Sequence, residues 1–102
     1  MTLTPRQRRW LKATAHPLKP VVTVGQHGLS EAVLAELQTA LAHHELLKVK
    51  IAAGDRMLRD AMIAEMTSAT AAELVNRIGN IAVLYRHNPK KRAPMVVPAD
   101  PA

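Results

Sequence analysis

The sequence predicts a small α/β domain with a mixed four-stranded sheet and the element order α-β-α-β-α-β-β. Three observations carry this prediction. Helix start signals recur, short β-branched runs alternate with the helical stretches, and a Gly-Asn pair separates the last two runs. With 102 residues, 48% of them hydrophobic, the chain can bury one core. We expect two β-α-β connections to give parallel neighbouring strands and the final hairpin to add an antiparallel strand.

Each predicted helix begins at a residue that favours a helix N-cap. Thr4 precedes Pro5, which suits the first helical position, and the PLKP stretch ends this helix. Ser30 is the expected cap of the second helix and Asp55 that of the third. Three methionines of the third helix are expected to fill the core: Met57, Met62 and Met66.

Four short runs have the composition of strands: VVTV (21–24), ELLKVKIA (45–52), AELVNRI (72–78) and IAVLYRH (81–87). The second run alternates, which predicts one apolar face and one partly cationic face carrying Lys48 and Lys50. Gly79 and Asn80 separate the last two runs. This two-residue connection predicts a hairpin, because glycine reaches positive φ without steric cost.

The net charge of +6 is distributed unevenly along the chain. Cations exceed anions by five over residues 1–20 and by three over residues 84–102, whereas residues 21–83 are nearly balanced. Such basic flanks favour a polyanionic partner, nucleic acid above all, over the alternative that the charge serves only solubility.

Several function classes find no support in the composition. The chain has no cysteine, which excludes disulfides and thiolate metal sites, and no apolar run of the length that spans a bilayer. His43 and His44 are adjacent and point about 100° apart on a helix, so they are poorly placed to share a metal. We expect no catalytic residue, cofactor, metal, small-molecule substrate or membrane partner, and a cytoplasmic location.

The stretch Gly25-Gln26-His27-Gly28 lies where the first strand leads into the second helix. It is too short for a Walker loop, lacks the third glycine of a dinucleotide fingerprint, and is consistent with a simple turn. The functional alternative is a backbone clamp of the kind KH modules use on single-stranded RNA, with Gln26 and His27 at the tip.

Basic side chains near this loop and at the chain ends are further candidates for RNA contact. They are Arg8, Arg9, Lys12, Lys19, Lys48, Lys50 and Arg86. Each alone is more typical of a solvated surface, and only their collective asymmetry favours RNA. The chain has one Trp and one Tyr, which argues against a sheet that stacks bases on several rings.

We expect residues 1–88 to form the domain and residues 89–102, with four prolines and three basic residues, to form a disordered basic tail.

The run LKxxAHPLKPVVxVGxxGLSEAVLAELxxALxxHELLKVKI, with IGNIAVLYR near the end, resembles the bacterial YhbY-type proteins. These are stand-alone members of the chloroplast RNA splicing and ribosome maturation (CRM) family. The resemblance implies a fold similar to the C-terminal domain of bacterial translation initiation factor three. It also implies RNA binding at residues 25–28 and on a surface that includes Lys12, Lys19, Lys48, Lys50 and Arg86. The hairpin departs from the family, since Asn80 stands where a cation is common.

The resemblance further implies association with ribosomal RNA in precursors of the large ribosomal subunit, as a monomer that assists assembly. Two alternatives remain open at this point. One is a regulator that binds other structured RNA, and the other is a protein–protein adaptor on the ribosome.

Overall fold

Three helices and four strands follow one another in the predicted order in the computed structural model, which describes residues 3–52, 54–91 and 97–98. The elements are α1 (Pro5–Ala15), β1 (Pro20–Val24), α2 (Glu31–His44), β2 (Leu46–Ile51), α3 (Arg56–Thr70), β3 (Glu73–Ile78) and β4 (Ile81–Tyr85). The predicted fold class is confirmed.

The three predicted N-caps are confirmed, and each accepts a backbone hydrogen bond from the first turn of its helix. Thr4 Oγ1 accepts from Gln7 N at 3.1 Å, and the Gln7 side chain accepts from Thr4 N at the same distance. Ser30 Oγ accepts from Val33 N at 3.2 Å. Asp55 Oδ1 accepts from Met57 N at 2.8 Å. Local side-chain chemistry thus defines where each helix begins.

The strand order is β1-β2-β4-β3, with β1 parallel to β2 and both other pairs antiparallel. The expectation that both β-α-β connections join neighbouring strands is therefore wrong for the second one. It is correct for β1 and β2, whereas β4 lies between β2 and β3. Burial explains this position, because four of the five β4 residues are buried and β3 carries polar residues that suit a sheet edge.

The sheet separates two hydrophobic clusters, one on each face. The larger cluster joins α2 and α3 to the sheet through Leu37, Leu41 and Met66. The smaller joins α1 to the opposite face through Leu11 and Ala15. Met62 and Met66 lie in the larger cluster, as predicted. Met57 does not, because it is 80% exposed, so the prediction is wrong for this residue.

One end of the sheet gathers three connections, and we call it the loop edge. Here Ala52 N donates to Val24 O at 2.7 Å, and Ile51 N donates to Asn80 O at 2.8 Å. The turn after β1, the start of α3 and the β3–β4 hairpin therefore lie side by side. Because β4 runs antiparallel to β2, the residues that follow β4 lie at the opposite end of the sheet.

The tail residues that the structure describes contact the domain. Lys91 Nζ lies 3.5 Å from Glu45 Oε1, Val97 packs against the α1 cluster, and Gln7 Nε2 donates to Pro98 O at 3.2 Å. Residues 92–96 and 99–102 lie outside the described residues. The expected boundary after residue 88 and the expected disorder of the tail stay predictions.

Candidate nucleic-acid interface

The two glycines of the Gly-x-x-Gly stretch close a four-residue turn between β1 and α2. Gly28 N donates to Gly25 O at 3.1 Å, and Ser30 N donates to Gly28 O at 3.2 Å. Gln26 and His27 occupy the central positions of this turn and are exposed. The turn therefore presents two side chains and its own backbone to solvent at the loop edge.

The two glycines stand in different environments. Gly28 has a φ of +83°, which strains any residue with a side chain, so its conformation requires glycine. Gly25 has no positive φ, and a Cβ built on it would meet no atom within 4 Å beyond its chain neighbours. Nothing in the described part of the fold requires glycine at position 25.

The start of α2 is poorly suited to hold an anion. Ser30 Oγ already accepts the hydrogen bond from Val33 N, and Glu31 places a carboxylate in the first turn. A phosphate at this helix end would be repelled by the Glu31 carboxylate, and Val33 N would already be bonded to Ser30. The backbone of the turn at residues 25–28 is the better candidate for phosphate contact.

Lys48 and Lys50 lie on the sheet face that also carries α1. Lys50 is exposed and is paired in register with Thr23 of β1, which is exposed as well. Lys48 is half-buried, and its Nζ donates to His16 O at 3.1 Å, where it interacts favourably with the C-terminus of α1. Lys50 is thus the more available of the two cations for a partner.

The cations of α1 and of the segment after it divide into two groups. Arg9, Lys12 and Lys19 are exposed. Arg8 is half-buried, donates through Nη1 to Leu74 O, and places Nη2 4.0 Å from Glu73 Oε2. Arg8 therefore ties α1 to β3 in addition to any contact with a partner.

Arg86 lies at the end of the sheet opposite the loop edge and holds α2 and α3 together. Its guanidinium donates to Gln38 Oε1, to Thr70 O at 3.0 Å and to Gln38 O at 3.2 Å. The structure does not bring Arg86 together with the turn at residues 25–28, although both were expected to contact RNA.

An open cavity of 230 Å³ beside the hairpin at the loop edge is lined by three arginines that were not among the predicted RNA contacts. Arg56 and Arg59 come from the first turn of α3 and Arg77 comes from β3, while Gly79 completes the lining. Residues 55–83 hold these three arginines and also four carboxylates, so the net charge of this segment gave no sign of a basic site. The available signal was a pair of arginines at i and i+3 in a first helical turn that holds no acid.

Within residues 3–52, 54–91 and 97–98, no group of three or more His, Asp or Glu side chains is arranged to hold a metal ion. Over the same ranges, no helix combines the length and apolarity that a membrane crossing needs.

Comparison with known proteins identifies the family of the chain. A model of the CRS1/YhbY (CRM) domain matches residues 3–86. A probable RNA-binding protein of Pseudomonas aeruginosa is 47% identical over 90 residues, covering 88% of this chain and 86% of the relative. An RNA-binding protein of Haemophilus influenzae is 46% identical over 97 residues, covering 95% and 96%.

The fold also matches a solved structure. The solution structure of a Staphylococcus aureus hypothetical protein, described as a candidate RNA-binding protein, superposes with a TM-score of 0.80 at 29% identity. The match covers 95% of this chain and 100% of that one.

Proposed function

This chain belongs to the CRS1/YhbY (CRM) domain family, and from that premise we propose that it binds RNA through the turn at residues 25–28. Two relatives that cover most of the chain are named as RNA-binding proteins, one of them as a probable one, which supports the proposal. The proposed chemistry is contact between the backbone of the turn and the sugar-phosphate backbone of the RNA.

Gly25 carries this proposal. Glycine loses more backbone entropy on folding than alanine, and at position 25 neither a positive φ nor a neighbouring atom in the described fold requires it. Close approach by an outside backbone supplies a reason, since a Cβ would hold the partner away. The exposed Gln26 and His27 then lie beside the bound strand.

The exposed cations extend the surface away from the turn. Lys50 lies on β2 close to the loop edge, and Lys19 immediately precedes β1. Contacts of this kind add affinity without reading sequence, and they make binding depend on salt. With few aromatic side chains, recognition rests on backbone contact and shape.

The finer proposal is association with ribosomal RNA in precursors of the large ribosomal subunit, as a cytoplasmic, non-enzymatic monomer that assists assembly. The resemblance of the GxxG stretch and its flanks to YhbY-type proteins supports it. Sedimentation of lysates with and without ribonuclease tests it. Ribonuclease-sensitive migration with precursor particles is expected, whereas migration in light RNA complexes indicates a regulator and resistance to ribonuclease indicates an adaptor.

The direct test of RNA binding at the turn is the double variant Gln26→Asp/His27→Asp. Two carboxylates beside a bound phosphate should weaken binding of a labelled RNA hairpin by about tenfold or more, because like charges repel. The double variant Ala35→Asp/Thr39→Asp adds the same charge on the exposed face of α2 and serves as the control. Anisotropy titrations should show a selective loss in the first variant at an unchanged melting temperature. Equal affinities in the two variants would make residues 25–28 a turn without an RNA role.

A further inference from the structure

We infer that the cavity lined by Arg56, Arg59, Arg77 and Gly79 binds a backbone phosphate of the same RNA, as a second anchor beside the turn at residues 25–28. This inference rests on the proposed function, and it assigns a role to side chains in the near-neutral middle of the chain. The ligand chemistry is a phosphodiester or phosphate oxyanion.

The first support is that three arginines from two elements line one open cavity of 230 Å³. Guanidinium presents a planar fork of donors that matches two phosphate oxygens at once. Two of the three groups are held in place by the fold. Arg59 Nη1 donates to Gly54 O at 3.2 Å, and Arg77 forms an ion pair with Asp60.

The second support is that two of the arginines stand where a positive charge is unfavourable for the stability of a helix. Cations in the first turn of a helix interact unfavourably with its dipole, and α3 begins with Arg56 followed by Arg59. Two carboxylates at the start of α3 are engaged by the fold, since the side chain of Asp55 accepts from Met57 N and Asp60 pairs with Arg77. The described lining of the cavity holds three arginines and no carboxylate, so a phosphate would meet a positive surface.

The third support is the position of the cavity. The hairpin at Gly79 and Asn80 is joined to the end of β2 by the Ile51–Asn80 hydrogen bond, and the end of β2 is joined to β1 by the Ala52–Val24 hydrogen bond. Two strand spacings, roughly 10 Å, separate β1 from β4. An RNA backbone held at Gly25 can therefore continue along the loop edge to the arginines.

The test compares Arg56→Gln/Arg59→Gln with Arg6→Gln, which removes an exposed arginine from α1 on the other face of the sheet. The cavity variant should weaken binding of the labelled RNA hairpin by about tenfold and lower the slope of log affinity against log salt by about 0.7 for one lost phosphate contact. Arg6→Gln should change affinity by less than about twofold. Because Arg59 contacts Gly54, the single variant Arg56→Gln, at an exposed position, repeats the measurement without that contact at risk. Equal losses in the cavity variant and Arg6→Gln would overturn the inference.

A second measurement separates this inference from the proposed function. Inorganic phosphate is titrated into the full chain while the arginine Nε–Hε signals are followed by NMR. Saturable shifts at Arg56, Arg59 and Arg77, with Arg6 unmoved, are expected whether or not the hairpin RNA binds at residues 25–28. Uniform, non-saturating shifts would overturn the cavity as a phosphate site. Saturation by phosphate together with wild-type RNA affinity in the cavity variant would overturn its assignment to RNA.

Discussion

Glu45 Oε2 lies 3.3 Å from His87 Nδ1, although Glu45 is fully buried and its backbone has a φ of +62°. The same carboxylate accepts a hydrogen bond from Asn88 N at 3.1 Å and lies 3.5 Å from Lys91 Nζ. Arg86 N in turn donates to Glu45 O at 2.9 Å. A buried carboxylate needs such partners, and the three described here come from the segment that follows β4. Glu45 therefore attaches that segment to the end of α2.

Replacing Glu45 by Gln should lower the free energy of unfolding by about 1–3 kcal/mol. The amide oxygen can still accept from Asn88 N, but the charge-assisted interaction with Lys91 is lost and an amide is left beside His87. Urea denaturation followed by tryptophan fluorescence measures the change. Glu36→Gln, at an exposed position of α2, is the control and should leave the midpoint nearly unchanged. Coinciding midpoints for the two variants would contradict the attachment role.

The phenol of Tyr85 should ionise at a higher pH than an exposed tyrosine. Burial raises its pKa above 10.0, and the charge of Glu45 raises that pKa further. The fold thus favours the neutral phenol. Its contribution to stability is complete below pH 10 and is lost as pH rises through the raised folded pKa. Tyr85 is the only tyrosine, so the phenolate absorbance reports it alone.

In the variant Glu45→Gln the Tyr85 midpoint should fall toward 10.0 without reaching it, since burial is the larger cause of the raised pKa. A midpoint at 10.0 in the unaltered chain would show that solvent reaches the phenol.

The position of β4 shows where local sequence patterns stop determining the fold. The caps at Thr4 and Ser30 and the hairpin at Gly79 are local features, so the sequence predicted them correctly. Which strand pairs with β2 depends on contacts between distant segments. The unbroken apolar run of IAVLY, against the polar residues of ELVNRI, was a usable signal for a central β4 and an edge β3.

The candidate interface was predictable to the same extent. The sequence predicts the turn at residues 25–28 and the polar strand face of Lys50, because the conformation at each place depends on residues next to it in the chain. Arg86 was included for its charge, but the fold uses its guanidinium to join α2 and α3. The arginine cavity was missed because Arg77 reaches α3 only once the sheet has formed.

The two glycines of the turn should separate folding from binding. Gly28→Ala places a Cβ at a φ of +83° and should destabilise the fold by about 1 kcal/mol or more. Gly25→Ala meets open space at a backbone conformation without positive φ, so the melting temperature should stay the same or rise slightly. If RNA backbone approaches Gly25, the same substitution should nevertheless weaken binding of the hairpin RNA several-fold, since the added methyl group stands between the two backbones.

Thermal melts and anisotropy titrations of both variants, with each titration run well below the lower melting temperature, measure the two effects independently. Ser68→Thr is the control, because it also adds one methyl group at an exposed position, but near the C-terminal end of α3 and away from the loop edge. Weakened binding in Gly25→Ala with unchanged binding in Ser68→Thr is expected. Wild-type affinity in a stable Gly25→Ala would mean that no partner backbone comes close at this position, and RNA contact would then have to rest on the side chains of Gln26, His27 and the neighbouring cations.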